Sequence, residues 1–412
     1  METLDPSADF GRVRFSPPCL LDPYPLYRSL RLKPGLVFSP ALGMWLVSRY
    51  QDVVSVLRAP AQFSSQQILR PTGERPPEVQ ALLDANGYSP QLPLLGDDPP
   101  NHGRLRSLVG KTFTPQRVAA LEPRIRTWIA ERLGGFSRTA EPIAQLAIPL
   151  PMRVMCELIG VPEADLPRVK EFGEASALFQ SGRLPTEALL ACAQKVIDYR
   201  HYVRALVAAK KERGGPDLIS ALLAAHAQEP GGSTLSAEEV MGLCVLFIFA
   251  GHQTTTALIA NALLHLIRRP ALWQALGDDA ALRARAVEEV LRFDAPVQAM
   301  VRTTTTAVRL AETELPAQAR LLVLFAAANH DEQVFAAPEE FDVDRKNADE
   351  QLSFGRGIHF CAGAALARLE ARLVLEALSK RFPGARLAAD APLEYTPNLI
   401  HRTPQRLQVI WE

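Results

Sequence analysis

The sequence lacks an excess of charge of either sign, since 45 Lys and Arg residues balance 45 Asp and Glu residues. Proteins that bind nucleic acid by neutralising its phosphates show a basic surplus, so this balance argues against that class. Charged residues make up 22% of the chain and hydrophobic residues 48%. These are ordinary globular proportions, and they exclude a disordered or fibrous chain.

Cysteine is scarce and has no paired spacing. The five cysteines among the 412 residues are Cys19, Cys156, Cys192, Cys244 and Cys361. No CxxC or CxxCH motif occurs, so a disulfide framework, a zinc ribbon and covalent c-type haem attachment all lack support. We expect a reduced, intracellular protein.

A targeting segment and a long hydrophobic run are also missing. Residues 1–6 have neither the basic nor the apolar region of a signal peptide. The most apolar stretch, 240–251, has about a dozen residues, whereas a membrane-spanning helix needs about 20. The sequence therefore predicts a cytoplasmic protein with no membrane span.

Helical periodicity dominates what is present. Apolar residues recur at helical spacing over 116–134, 152–160, 186–212, 216–227, 237–268, 271–292 and 363–381. Strand-like runs occur at 44–48, 308–310, 320–325 and 405–411. Clustered prolines predict extended segments and turns over 1–40, around a brief helix at 24–32, and a loop-rich stretch over 64–100. We predict one mainly α domain over 1–412, with a small strand-rich part at about 1–60.

One predicted helix, at 237–268, is long enough to cross a whole domain. Ser236 with Glu239 three residues later forms a capping box, which marks the start of a helix. The residues from Val240 to Phe249 are apolar on all sides of this helix, which is typical of a buried central helix.

The segment 354–363, Phe-Gly-Arg-Gly-Ile-His-Phe-Cys-Ala-Gly, carries the chemistry. Its two glycines before Cys361 allow backbone turns that other residues avoid. Cys361 lies just ahead of a predicted helix, whose N-terminal dipole favours the thiolate that binds metals. A lone cysteine is more often a small buried hydrophobe. That reading does not explain the ten-residue string.

This string resembles the F-G-x-G-x-H-x-C-x-G haem-binding signature of the cytochrome P450 superfamily, soluble bacterial type. The resemblance implies a mainly α fold with small β-sheets, in which haem b lies between the long central helix and the cysteine-loop helix. It implies that Cys361 is the axial ligand of the haem iron. It also implies haem contacts from Phe354, Gly355, Gly363 and Ala250.

Three further motifs agree with the resemblance, and the first is a buried charge network. Glu289 and Arg292 resemble the family's E-x-x-R pair, and Arg345 is the expected third member because glutamate occupies the arginine position of the box at 338–341. The resemblance implies that this network anchors the cysteine loop. Alone, such a pair at i,i+3 is usually a solvated surface pair.

Four basic side chains match the positions that hold the haem propionates. His102 and Arg106 resemble the family's H-x-x-x-R motif, and the resemblance adds Arg302 and His359. Two carboxylates need charged donors, which Arg and His supply. An isolated H-x-x-x-R would otherwise be a surface pair.

The segment 250–255, Ala-Gly-His-Gln-Thr-Thr, resembles the oxygen-activating part of the central helix. Gly251 is expected to leave room above the iron and to share a helix face with Thr254, whose hydroxyl would hydrogen-bond dioxygen and a water. Gln253 stands where the family usually has Asp or Glu, and it is expected to point aside. An amide cannot carry a proton, so protons would arrive through water, joined by Thr255 or His252. The alternative is that these threonines only bend the helix.

The resemblance implies a monooxygenase that hydroxylates or epoxidises a mostly apolar organic molecule in secondary metabolism or catabolism. Electrons are expected from a ferredoxin and its reductase, because the sequence carries neither a dinucleotide loop nor an iron–sulfur motif. Arg104, Lys111, Arg356 and Arg368 are either a basic docking face or scattered solvated residues. The candidate pocket residues are Val245, Phe249, Val297, Met300, Leu399 and Ile400.

Two other functions stay open. One is a non-standard haem-thiolate enzyme, either driven by peroxide or catalysing coupling, desaturation or rearrangement, which the exchange at Gln253 favours. The other is a non-enzymatic haem sensor or carrier, against which Gly251 and Thr254 count.

Overall fold

A computed structural model describes residues 9–68, 75–88, 92–181, 184–227, 235–389 and 391–412. The helices are α1 Phe10–Val13, α2 Pro17–Leu21, α3 Tyr24–Arg31, α4 Tyr50–Arg58, α5 Pro77–Ala85, α6 Asn101–Thr112, α7 Pro115–Gly134, α8 Pro149–Ile159, α9 Leu166–Ser181, α10 Thr186–Arg213, α11 Leu218–Ala227, α12 Ala237–Ile267, α13 Pro270–Ala275, α14 Ala280–Phe293, α15 Phe325–Ala328 and α16 Ala364–Arg381. The strands are β1 Val37–Ser39, β2 Met44–Val47, β3 Phe63–Ser64, β4 Met300–Thr304, β5 Val308–Leu310, β6 Thr313–Leu315, β7 Arg320–Val323, β8 Arg386–Leu387 and β9 Val409–Ile410. The mainly α fold class with small sheets is thus confirmed.

The segment predicted as one helix over 271–292 is two helices, α13 and α14. Asp279 separates them because its carboxylate caps α14, accepting a hydrogen bond from the backbone N–H of Leu282 at 2.8 Å. Ser, Thr, Asp and Asn favour this position because their oxygens satisfy N–H groups that lack a partner within the helix. Helical periodicity alone does not reveal such a break.

The proline-rich segments contain more helix than the sequence predicts. Proline occupies the first turn of α2, α3 and α5, where its missing N–H costs no hydrogen bond. The extended conformation expected over most of 1–40 is therefore wrong at α1 and α2. The loop-rich stretch 64–100 contains α5, and part of it lies outside the described residues. Four helices accompany β1 and β2 in the segment predicted to be strand-rich.

The chain divides into two compact units. The first comprises Met1–Phe63, Ala119–Pro151 and Gln253–Glu412, and the second comprises Ser64–Val118 and Met152–His252. A five-stranded sheet has the order β1-β2-β7-β4-β3, with β2 and β7 parallel and β4 antiparallel to β7. In the first unit, two apolar clusters pack on this sheet, one around Val47 and Leu321 and the other around Tyr27 and Leu322.

The second unit has a helical core. An apolar cluster there joins α5 to α9 and α10 through residues that include Val79, Phe179 and Ala193. The helix α9 was not predicted from the sequence.

Helix α12 is the longest helix, with 31 residues and a length of about 46 Å. Its capping box is confirmed, because the backbone N–H of Glu239 donates to the Ser236 hydroxyl at 3.1 Å and that of Ser236 donates to the Glu239 carboxylate at 2.8 Å. By length and composition α12 could cross a membrane, but 67% of its most apolar window is buried within the protein. Burial of this kind is typical of a core helix.

Candidate functional site

The cysteine loop, residues 354–363, reverses direction at two glycines with positive φ. Gly355 has φ +70° and Gly357 has φ +74°. A Cβ atom on Gly357 would also collide with the backbone carbonyl of Leu57, so only glycine fits there. The loop closes where the backbone N–H of Cys361 donates to the Phe354 carbonyl at 2.9 Å.

Cys361 differs from the other cysteines in its exposure. It is exposed three residues ahead of the start of α16, whereas Cys19, Cys156, Cys192 and Cys244 are buried. Burial raises the pKa of each of these four thiols, that of Cys156 to about 12, which keeps them protonated. A thiol that is accessible at a helix N-terminus is the donor that suits the iron of the expected haem.

Arg368 of α16 supports the loop from one side. Its guanidinium lies 4.4 Å from the ring centroid of Phe354 and forms two hydrogen bonds with Glu288 of α14, at 2.5 and 2.8 Å. Arg368 therefore connects α16 to the cysteine loop and to α14, and it is not a solvated residue of a docking face. In the second unit, Arg104 is likewise paired with Glu239.

The E-x-x-R motif forms a fully buried ion pair. The side chains of Glu289 and Arg292 have no exposed surface and lie 2.7 Å apart, and Arg345 lies 3.3 Å from Glu289. Arg292 also donates to the carbonyls of Asn329 at 3.1 Å and Pro338 at 2.9 Å. The structure thus brings together the three predicted members of the network.

Asn329, which the sequence analysis missed, connects this network to the cysteine loop. Its side-chain amide donates to the Ser353 hydroxyl at 3.0 Å and accepts from the backbone N–H of Leu352 at 2.7 Å. Ser353 in turn donates to the Leu291 carbonyl at 2.6 Å. No motif at Asn329 signals this role, because the contact joins segments that are more than 20 residues apart.

Two of the four predicted propionate ligands lie in each unit. In the first, Arg302 is buried in β4 and His359 is half-buried, two residues before Cys361. In the second, His102 is buried and Arg106 is half-buried, one turn apart on α6. Each pair consists of an arginine and a histidine, side chains that can donate hydrogen bonds to a carboxylate.

The middle of α12 has one accessible face. Its residues are Val245, Phe249, Ala250, Gln253 and Thr254, which are half-buried or exposed, whereas His252, Thr255 and Thr256 are buried. The spacing i, i+4, i+8 puts Gln253 in line with Val245 and Phe249. Gln253 is thus half-buried on the same side of α12 as two of the predicted pocket residues.

Gly251 has a different role from the expected one. A Cβ atom there would lie 2.6 Å from the sulfur of Met155, so the missing side chain accommodates α8 rather than open space above the iron. His252 is enclosed as well, and its Nδ1 donates to the Ile248 carbonyl at 2.9 Å. Burial lowers the pKa of His252, so the ring stays neutral and its single proton is engaged.

The remaining predicted pocket residues lie on two segments of the first unit. Met300, Leu399 and Ile400 are half-buried, and Val297 is buried. Val297 forms an antiparallel bridge with His401, so the two segments run side by side.

Comparisons with known proteins identify the family. The family model "Cytochrome P450" matches residues 187–411. The chain is 36% identical over 399 residues to the cytochrome P450 monooxygenase PikC of Streptomyces venezuelae, covering 95% of this chain and 91% of the relative. It is 36% identical over 360 residues to the erythromycin C-12 hydroxylase of Saccharopolyspora erythraea, covering 86% and 85%. The solved structure of cytochrome P450 CREJ in complex with (4-ethylphenyl) dihydrogen phosphate superposes with a TM-score of 0.90 at 31% identity, covering 95% of this chain and 98% of that chain. The chain therefore belongs to the cytochrome P450 family and is a monooxygenase that binds haem b.

Proposed function

We propose that Cys361 supplies the axial thiolate of haem b and that residues 1–412 form a single cytochrome P450 domain. His102, Arg106, Arg302 and His359 bind the propionates, and Phe354, Gly355, Gly363 and Ala250 contact the macrocycle. When bound, haem b supplies the reductive activation of dioxygen with two electrons and two protons. The observation that carries the proposal is the exposed Cys361 thiol, held by a positive-φ loop at the start of α16.

The test of this ligand is spectroscopic. We expect Cys361→His to retain haem but to lose the red-shifted Soret band of the reduced carbon monoxide complex, because a neutral imidazole donates less electron density than a thiolate. Cys192→Ser, at a buried cysteine of α10, is the matched control and should keep the band. Survival of the band in a haem-loaded Cys361→His variant would refute the assignment.

The accessible face of α12 supports a proton route that depends on water. The Thr254 hydroxyl can both donate and accept a hydrogen bond, so it can hold a water beside the dioxygen site. The Gln253 amide beside it can orient a water but cannot take up or release a proton. His252 has its one proton bonded to a carbonyl, and Thr255 is buried, so neither supports a second route.

The pocket side chains support a mostly apolar substrate. Val245, Phe249, Met300, Leu399 and Ile400 are all accessible, and they offer no charge. We propose hydroxylation or epoxidation of an apolar small molecule in secondary metabolism or catabolism, and the erythromycin C-12 hydroxylase among the relatives supports the former. A spectral-shift screen over polyketides, terpenes, fatty acids and aromatic compounds tests this, because a fitting compound displaces the iron's water ligand. Binding restricted to charged compounds would contradict it.

Gln253 favours a second candidate, an enzyme that uses peroxide or catalyses coupling, desaturation or rearrangement. A peroxide-driven reaction brings its own protons and oxygen, so it needs no titratable side chain on this face. Turnover with hydrogen peroxide that exceeds turnover with redox partners would favour this function.

For the electron donors we propose a ferredoxin and its reductase, and for the location the cytoplasm. Arg356, a residue of the cysteine loop, is half-buried and positively charged. Arg104 and Arg368 of the expected docking set pair with glutamates, so we assign the docking role to Arg356.

A further inference from the structure

The two pocket segments of the first unit are joined backbone to backbone. The N–H of Gln298 donates to the Ile400 carbonyl at 2.6 Å, and the N–H of Arg402 donates to the Pro296 carbonyl at 3.0 Å. With the bridge between Val297 and His401, these bonds make residues 296–300 and 399–402 one element, which we call the paired wall. A movement of one backbone segment would therefore also move the other segment and the side chains on it.

A buried ion pair fixes one end of the paired wall. Arg402 Nε donates to Asp294 Oδ1 at 2.8 Å, and the two side chains are 4% and 2% exposed. Arg402 also donates to the carbonyls of Leu20 at 2.6 Å and Leu21 at 2.8 Å, and its guanidinium lies 3.7 Å from the ring centroid of Tyr395. The guanidinium thus ties the wall to α2 as well as to the end of α14.

The other Asp294 oxygen connects the wall to α12. His265 Nε2 lies 2.9 Å from Asp294 Oδ2, and the Asn261 amide donates to the Asp294 backbone carbonyl at 2.9 Å and to that of Arg402 at 3.4 Å. The Tyr24 hydroxyl donates to Asp294 Oδ1 at 2.9 Å. Although burial alone would raise its pKa, Arg402 and His265 hold the pKa of Asp294 well below its ordinary value.

The other strand of the wall is held independently. The Tyr27 hydroxyl donates to Gln298 Oε1 at 2.9 Å, and the Gln298 amide donates to the Ala295 carbonyl at 2.7 Å. The N–H of Ala326 donates to the Gln298 carbonyl at 3.1 Å. Gln298 is fully buried, so the wall is bonded on both of its edges.

We propose that Asp294 and Arg402 are positioning residues that set the direction of the paired wall, and with it the width of the substrate pocket. Well-packed hydrophobic residues would stabilise this region as well as a buried ion pair does, whereas directional bonds specify one arrangement. The wall presents Val297, Met300, Leu399 and Ile400, and neither Asp294 nor Arg402 needs to touch substrate. The inference rests on the proposed function of these four residues as pocket lining.

Two ligands of different size measure the width of the pocket. Imidazole and 4-phenylimidazole both bind haem iron and shift the Soret band, but only the second needs room beside it. For Arg402→Lys, and for the milder Tyr24→Phe, we expect the Kd for 4-phenylimidazole to change by about three- to tenfold relative to the Kd for imidazole. Arg283→Lys is the matched control, because Arg283 is a buried arginine of α14 that bonds Leu276, Gly277 and Glu376 and not the wall.

A purely structural role gives a different result. If both variants lower the melting temperature but leave the ratio of the two Kd values as in the parent, the positioning role is overturned. Should Arg402→Lys fail to fold, Tyr24→Phe still decides, since it removes one hydroxyl and leaves the ion pair. A parent protein in which neither azole shifts the Soret band would refute the proposed haem site itself, and the positioning role with it.

Discussion

Thr254 and Gln253 are neighbours in the middle of α12 and both are half-buried, but they differ in what they can do with a proton. A hydroxyl can relay a proton by rotating, whereas an amide holds its protons at every physiological pH. The neighbouring threonine Thr256 donates to the Ala147 carbonyl at 2.8 Å and is buried. Thr256 is therefore a matched control for the role of the Thr254 hydroxyl.

We expect Thr254→Ala to separate oxygen consumption from product formation. Without the hydroxyl, the water that would deliver protons loses its partner on α12, so hydrogen peroxide should accumulate while product per electron pair falls by about tenfold or more. Thr256→Ala should leave this coupling unchanged. The measurement is the ratio of product and peroxide to oxygen consumed, and equal ratios for the two variants would contradict the role of Thr254.

We expect Gln253→Glu to keep or raise turnover, because it introduces a titratable carboxyl on the same face. The native enzyme should show a solvent deuterium isotope effect if proton delivery limits the rate, and that effect should shrink in the variant. Loss of all turnover in a variant that still binds haem and substrate would show instead that the amide has a specific binding role.

Glu370 gives a pH-dependent expectation. It lies 1% exposed in α16, and within the described residues its Oε2 has no hydrogen-bond partner. Burial raises its pKa well above the ordinary value of 4.5, so the folded protein keeps a proton that the unfolded chain loses. Its contribution to stability is therefore fullest below pH 4.5 and falls as the pH rises, by up to about 1.4 kcal/mol per pH unit.

The stability of the variant Glu370→Gln should therefore increase relative to that of the parent as the pH rises from 5 to 8. Thermal unfolding at several pH values measures this difference. Glu376→Gln on the same helix is the opposite case. Hydrogen bonds and charges from Arg126 and Lys380 outweigh burial and lower the pKa of Glu376, so its contribution is present above the ordinary pKa and lost in acid. A pH-independent difference for Glu370→Gln would show that the group is ionised in the folded state.

At the scale of single residues, the sequence predicted local motifs well and side-chain surroundings poorly. The geometry around Cys361 depends on ten consecutive residues, so the local sequence motif was enough to predict it. What faces Gly251 depends on Met155, almost 100 residues away. The bonds of Asn329 to Leu352 and Ser353 join segments that are more than 20 residues apart. Such contacts are products of tertiary packing, and no periodicity records them.

At the scale of elements, the network of Glu289, Arg292 and Arg345 links α14 to the segment before the cysteine loop. Removing Glu289 would leave two buried guanidinium groups without their carboxylate, which costs about 3–5 kcal/mol. We expect Glu289→Ala to be obtained mostly without haem and to melt at a lower temperature. Glu314→Ala, in an exposed pair with Arg309, is the control and should change neither. Normal haem occupancy in Glu289→Ala would contradict the anchoring role.

The long helices were predictable because each repeats its apolar pattern over many turns, as α7, α10, α12 and α16 do. Short helices were not. The helices α1, α2 and α5 are only four to nine residues long, and α2 and α5 begin with proline, so their helical periodicity is too short to detect. Helices this short depend on tertiary packing rather than on local propensity.

At the scale of the whole molecule, a balanced charge means that partner binding depends on local charge rather than on a net field. We expect Arg356→Glu to slow reduction by ferredoxin by about tenfold and to weaken the dependence of the rate on salt. The carbon monoxide band after chemical reduction should be unchanged. Arg309→Glu, at the exposed strand β5, is the control, and an equal loss in both variants would contradict a docking role for Arg356.

The contact of Gly357 with the Leu57 carbonyl also governs when the protein can acquire its cofactor. Tyr50, on the same helix as Leu57, bonds through its hydroxyl to the Glu350 carbonyl at 2.8 Å, across 300 residues of chain. The cysteine loop is thus braced by a helix that leaves the ribosome long before the loop does. Because joining residues so far apart in the chain carries a loop-closure cost, we expect the cysteine loop to take its final form late in folding. We therefore expect cells that make this protein faster than they make haem to accumulate an apoprotein whose cysteine loop is open to proteases.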